Sequence, residues 1–346
     1  MRAKLVLYGG AAMLLLLASI VVSLSIGSSG LPLRDVWGIL LHQLPWMPDA
    51  STKWDAGDIA IVTQLRLSRV VLGVLIGACL ALAGAGFQGV LRNPLADPFT
   101  LGVASGCSVG AAFMIVFGLQ SAIGLWSVPL VAFGTGMVTL LIVFGLSRAR
   151  GSMNVETLIL SGVIVQAFLG ALVSFMVTLS QSVVNEAMFW LMGSLSGRSW
   201  EHVKLIAPFL IVGLPVMIRY SQHLNLFTFG ERHAAHLGVN VERTKLIVLL
   251  TSTLLTAVAV SVAGVVGFVG LVVPHLIRLL VGPDYRIIVP LSAIGGGFYL
   301  VWADTLARTA LSPKEVSLGI VTALIGAPFF AYLLYRRKVQ QGGSAS

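Results

Sequence analysis

The sequence predicts an all-α polytopic membrane protein with about ten transmembrane helices. Charged residues make up only 10% of the 346 positions, against about 25% in a soluble domain, and mean hydropathy is +0.96. Such a chain lacks the polar surface to cover itself in water. Its apolar residues also run in stretches long enough for membrane spans, one of which, Pro98 to Ser147, holds fifty positions without a charge. A hydrocarbon core takes about 20 residues per helix, so the chain accommodates about ten spans with short connections, read as one transmembrane domain over 1–346.

Taken in order, Arg2 and Lys4 precede the apolar run Leu5 to Val22. That arrangement also describes a cleaved signal peptide, but flank and length favour an uncleaved first helix entering from the cytoplasm. Residues 27–62 form an outside segment in which Asp35, Asp49, Asp55 and Asp58 accompany Trp37, Trp46 and Trp54, tryptophans being frequent anchors at the membrane–water boundary. Val70 to Ala83 is the second span. Residues 84–106 form a hinge: Gly84, Gly86 and Gly89 allow another backbone to approach, while Pro94 and Pro98 deny helix to the residues before them.

The uncharged stretch after Pro98 is too long for one span and suits two helices with a turn at Gly118–Pro129. Thr157 to Ser180 gives the next span, and 181–204, with Glu186, Trp190, Arg198, Trp200 and Glu201, an outside interfacial piece. Leu205 to Ile218 leads back to the polar inside loop 221–245. Leu246 to Ile277, crossed by Gly264, Gly267, Gly270 and Pro274, reads as a span, a break and a short helix. Ile287 to Ala303 and Val316 to Tyr335 complete the set. Ten spans return the C-terminus to the inside, and fourteen Lys and Arg then lie inside against eight outside, as the positive-inside rule requires. The net charge of +9 is thereby explained without a nucleic-acid partner. Cys79 and Cys107 lie in or beside apolar spans without metal-ligand spacing, which predicts small buried residues.

Gln88, Arg92-Asn93-Pro94-Leu-Ala-Asp97-Pro98 and Leu101-Gly102 with Ser105-Gly106 resemble the signature of one permease family. These are the FecCD/BtuC-like membrane subunits of ABC importers for iron–siderophore complexes, haem and cobalamin. Further blocks in the family's order are Arg66-Leu-Ser-Arg69, Phe229-Gly-Glu-Arg-His-Ala-Ala-His-Leu-Gly238, Gly267-Phe-Val-Gly-Leu-Val-Val-Pro-His275, Ala303-Asp304 with Arg308, and Gly319 to Phe330. Ser68 and Ser317 stand where the family usually has proline, softening two helix starts. The resemblance implies a type II ABC importer permease in the bacterial plasma membrane, both termini cytoplasmic. It also implies three kinds of partner: two copies of a cytoplasmic ATP-binding subunit, an extracytoplasmic substrate-binding protein, and a second permease copy, identical or similar, across which the path forms.

No Gly-x-x-x-x-Gly-Lys-Ser/Thr occurs, so no P-loop is predicted in the chain and energy comes from the separate subunit. The resemblance places the coupling helix at Gly230, Glu231, Ala234, Ala235, Leu237 and Gly238. A compact apolar face, a Gly stop and an acid near the helix start suit that role. Arg66, Arg69 and Arg308 match the family's receptor-docking arginines, though single cations at a membrane boundary also snorkel. Val155 and Glu156 fall where the family narrows the inner end of its path. His233 and His236, three apart, lack a third ligand, so no metal or cofactor is predicted. Asp304 is the one acid near a span's interior, a functional candidate or a partner of Arg308 one turn away. A secondary transporter coupled to ions would need several such acids. The cargo predicted is an iron–siderophore complex, with haem or cobalamin as the alternative. A weak internal echo, Gly86-Phe-Gln-Gly against Gly267-Phe-Val-Gly, suits an inverted repeat.

Overall fold

The computed structural model describes residues 2–27, 31–43, 53–124, 126–149, 152–153, 155–179 and 184–342. The chain begins with α1 (Arg2–Ser25) and the short α2 (Leu33–His42). A continuous helix follows, built from α3 (Ala56–Ala60), a stretch of wider π-type turns (Ile61–Arg66) and α4 (Leu67–Leu91). A 3₁₀ turn (Pro98–Leu101) leads to α5 (Val103–Val116), α6 (Leu119–Ile123) and α7 (Ser127–Ser147). A two-residue hairpin, β1 (Arg148–Ala149) and β2 (Ser152–Met153), precedes α8 (Val155–Leu179) and α9 (Val184–Leu191). Then come α10 (Trp200–Phe227), α11 (Glu231–His236), α12 (Val241–Ala263), α13 (Val269–Val281), α14 (Tyr285–Thr309) and α15 (Leu318–Gly342).

Among the described residues, seven helices are long and apolar enough to cross a membrane, and three shorter apolar helices lie at Val103–Val116, Val269–Val281 and Leu318–Leu333. Together they match the expected set of spans. The architecture is all-α and polytopic.

Helix α4 is the shaft of the molecule. It is apolar on every side, as befits a helix buried all round, and α10, α12, α13 and α14 pack about it. Two crossings bring backbones into direct contact. A methyl group on Gly77 would stand 2.1 Å from the Gly296 carbonyl oxygen, and one on Gly84 would stand 1.8 Å from that of Gly270. Only glycine permits such approach, and small residues at helix crossings are how spans pack without a hydrophobic drive between them. Helices α5, α7 and α8 form a second group joined to the shaft through α12, and α1 lies along α14. Apolar residues such as Leu14, Leu141, Phe168 and Ile211 remain exposed, a surface that only lipid or another apolar partner can cover.

Several expected boundaries move. The hinge begins at Arg92, not Gly84, because tertiary contacts hold Gly84, Gly86 and Gly89 inside α4. Ser68 softens no helix start, since the helix already runs from Ala56. The loop 221–245 shrinks to a connection around α11, because α10 continues to Phe227 and α12 starts at Val241. Trp37 and Trp54 turn inward, donating to Ser25 at 3.0 Å and Asp35 at 3.1 Å. Trp46 and Asp49 lie outside the described residues, as do positions 180–183, where the fifth span was expected to end and the outside piece to begin. The break after α12 is found as expected, over residues 264–268, with Phe268 at φ 66°.

Candidate functional site

Two polar constellations sit at opposite ends of α4. At its C-terminal end, Arg92 adopts a left-handed conformation (φ 50°) that stops the helix. The side-chain oxygen of Asn93 accepts from the Leu95 N–H at 2.9 Å, closing a turn before the chain reverses. Asp97 then caps the 3₁₀ turn, accepting from Phe99 N at 2.9 Å, and Pro98 at the first position needs no hydrogen bond there. Burial pushes the Asp97 carboxyl up to about 6, against the pull of that capping bond. One turn before Arg92, Gln88 donates to the carbonyls of Gly270 (3.3 Å) and Leu271 (3.1 Å). The two echoing glycine stretches thus touch in space.

Helix α11 hangs from this same end. Gly230 (φ 101°) lets the chain turn into it and Gly238 (φ 86°) turns it out, both in the region that favours glycine. Ala234 is buried against the body, whereas Ala235 is exposed and Leu237 and Phe229 are 65% and 71% exposed. Glu231 ties the helix down: it meets the buried ammonium of Lys245 at 2.6 Å and the guanidinium of Arg92 at 3.6 Å. The 88–98 loop and α11 therefore form one unit, linked through a charge triad, that presents apolar side chains to the exterior. Nearby, Asp284 caps α14 and accepts from Asn225, and Arg286 holds its carboxyl down at about 2.

At the other end, Arg66, Arg69 and Arg308 are brought together, but none projects freely. Arg69 forks onto both oxygens of Asp304 and reaches both oxygens of Glu315, the closest contact to each being 2.9 Å. Arg308 lies 3.2 Å from Asp304 as well, so pairing with Asp304 one turn away is observed, with a second arginine added. Arg308 also donates to Ser23 Oγ (3.0 Å) and the Ile26 carbonyl (3.3 Å), and Arg66 to the Leu24 carbonyl (3.3 Å). The last carbonyls of a helix lack partners within it and attract cations; two arginines meet that need at the end of α1. Both are buried.

Val155 opens α8 and packs against the core, with Glu156 exposed beside it. No group of three His, Cys, Asp or Glu side chains suited to a metal occurs among the described residues. Cys79 and Cys107 are free and buried, and His275 is buried beside Phe330. One feature was not singled out from sequence. A cavity of about 890 Å³ opens at the Arg69 end, lined among others by Trp190, Arg198, Lys314 and Glu315. Its only signal was the mixed composition of 181–204.

A bundle of apolar helices around a buried shaft, with a knob at one end and a charge cluster at the other, defines a multi-span membrane protein. The chain belongs to the FecCD transport family, whose pattern matches residues 15–336. It is 41% identical to the cobalamin import system permease protein BtuC of Halobacterium salinarum over 98% of both chains. It is 38% identical to the iron(III) dicitrate permease protein FecD of Escherichia coli over 85% of this chain and 92% of that one. A metal-chelate type ABC transporter solved in an inward-facing conformation superposes with a TM-score of 0.82 at 32% identity, covering 97% of this chain and all of that one. The chain is accordingly a permease subunit of the ABC importer class.

Proposed function

We propose that this permease carries an iron–siderophore complex inward, powered by a separate ATP-binding subunit seated on α11. The observation that carries the reading is the exposed pair Phe229 and Leu237 beside a helix anchored through Glu231, Arg92 and Lys245. An apolar knob on a braced helix suits the groove of a partner, and movement there passes to α4 and α12 through those ion pairs. That end is cytoplasmic, as are both termini, in the orientation that concentrates Lys and Arg inside. The end braced by Arg66, Arg69 and Arg308 faces outward and receives a substrate-binding protein with acidic lobes, although these three arginines are themselves bound within the chain. Such contacts act mainly on encounter rate and register. Two permease copies, identical or similar, enclose the path with two ATPases, and Val155 and Glu156 narrow its inner end.

The intramembrane acid Asp304 is engaged by two arginines, which gives ion-coupled transport no support. The iron cargo rests on the kinship with iron-citrate and metal-chelate permeases; haem and cobalamin permeases share the motifs. Uptake of a radiolabelled ferric siderophore, haem and cobalamin by vesicles holding the permease, its ATPase and its binding protein tests the assignment. ATP-dependent accumulation of the iron chelate alone supports it, and accumulation without ATPase overturns the class. Cysteines at positions 155 and 156, in a background lacking Cys79 and Cys107, crosslink two copies in one nucleotide state only if these residues form the gate.

A further inference from the structure

The cavity at the Arg69 end joins the turn before α7, helix α9, the connection into α10 and the connection between α14 and α15. Its volume of about 890 Å³ lies within the range of small-molecule sites, about 300–1,000 Å³. Phe189, Trp190, Val128 and Val316 give it apolar walls, and Arg198, Lys314, Glu186 and Glu315 give it charge. The acids are already engaged. Both oxygens of Glu315 accept from Arg69, and Glu186 accepts from the Gln120 amide at 2.7 Å.

The donors are not engaged. Arg198 Nε and Trp190 Nε1 are buried without an acceptor, and the half-buried remainder of the Arg198 guanidinium and the exposed Lys314 ammonium have no hydrogen-bond or ion-pair partner among the described residues. Burial lowers the Arg198 pKa from its ordinary value, as it does for a half-buried cation with no counter-charge beside it. Buried polar groups are ordinarily satisfied, and an arginine fork matches carboxylate geometry. A cavity of ligand size with apolar walls and waiting donors is built for an anion with an apolar body.

We propose that this cavity binds an anionic, carboxylate-bearing metal chelate, with Arg198 and Lys314 holding its negative groups and the Phe189–Trp190 wall its body. The proposal rests on the import reading, and makes the outer mouth of the permease a selector for cargo charge. Its size favours a small molecule over the lone acidic side chain of a docking protein.

The test is binding of ferric citrate, and of ferrichrome as a neutral chelate, to the full chain in lipid nanodiscs by tryptophan quenching and calorimetry. Ferric citrate binds and ferrichrome does not. Arg198→Gln weakens ferric citrate about ten- to hundredfold, the worth of a hydrogen bond to a charged group. Glu186 and Ser196 are exposed, so variants there keep the fold. Glu186→Gln removes a like charge and tightens binding, and Ser196→Glu weakens it. Equal binding of both chelates, binding of neither, or indifference to all three substitutions overturns the proposal. So does an Arg198→Gln variant that binds ferric citrate normally but loses the substrate-binding protein, for the cavity would then take a protein carboxylate. ATPase co-purification, measured on the same samples, fails independently if the import reading is wrong.

Discussion

Arg92 and Arg69 stand at opposite ends of α4 and each meets an acid distant in sequence. Arg92 faces Glu231 at 3.6 Å with 44% of its side chain exposed, while Arg69 holds Asp304 at 2.9 Å with 13% and 4% exposed. The first pair is half exposed, where an ion pair is worth about 0–1 kcal/mol, so this contact can yield when a partner pushes on α11 while Glu231 stays on Lys245. The second is sealed between α4 and α14, where separating the charges is expensive. The same residue types thus make a compliant joint at one end and a fixed clamp at the other. Burial, not charge, decides which.

The largest effect breaks the compliant end from outside. Leu237→Asp, or Ala235→Glu, places charge on the exposed face of α11 without touching buried Ala234. ATPase recovered with the purified permease falls by more than about tenfold, the loss of a central apolar anchor, while membrane insertion is unchanged. Normal co-purification would reduce α11 to a connector.

The clamp is tested from within. Asp304→Asn leaves two buried arginines without their shared counter-charge, costing about 3–5 kcal/mol. Glu315→Gln removes a partner whose side chain is 37% exposed and costs about 0–1 kcal/mol. Denaturant unfolding in mixed micelles resolves that gap, and equal losses would mean the cluster is not a clamp. Between the ends, Gly84→Ala forces α4 off the Gly270 carbonyl and costs about 1–3 kcal/mol. Gly9→Ala, with nothing within 4 Å of its added methyl, is the neutral control.

What the sequence revealed differs between the two ends for a physical reason. The α11 unit is local: its glycine stops, its acid and its apolar residues lie within ten positions, so its boundaries were readable, whereas Ala234, read as part of the docking face, turns inward. The clamp joins residues 235 positions apart, and no spacing rule reaches that far. Arg308 with Asp304, one turn apart, was the readable part; Arg69 was read as a receptor-docking arginine, and its two acids were not foreseen. The glycines of α4 misled in the opposite direction, because propensity marks Gly84 as a break and only the contact with Gly270 shows why a helix persists. Arg198 went unread because a lone arginine in an interfacial stretch carries no pattern until a cavity surrounds it.

The smallest effect separates two acids at the compliant end by pH. The Asp97 carboxyl is raised to about 6 from 3.8 by burial, so between those values the folded chain binds more protons than the unfolded one. Its contribution to stability is therefore greatest at the acidic side of that window, declines as pH rises through it, and levels off above about 6. Asp284, held at about 2 by Arg286 and Asn225, behaves oppositely: its contribution is present above 3.8 and is lost as pH falls toward about 2. Asp97→Asn keeps the cap, since an amide oxygen also accepts from Phe99 N, but removes the titration. From about pH 4 to about pH 7 the wild-type unfolding midpoint falls relative to that of Asp97→Asn, a difference that cancels the groups both chains share, while the difference from Asp284→Asn stays constant over that range. A difference from Asp97→Asn that does not change with pH would show that the carboxyl sits in water, and that the loop binding Arg92 to α5 is looser than its packing against Gly270 implies.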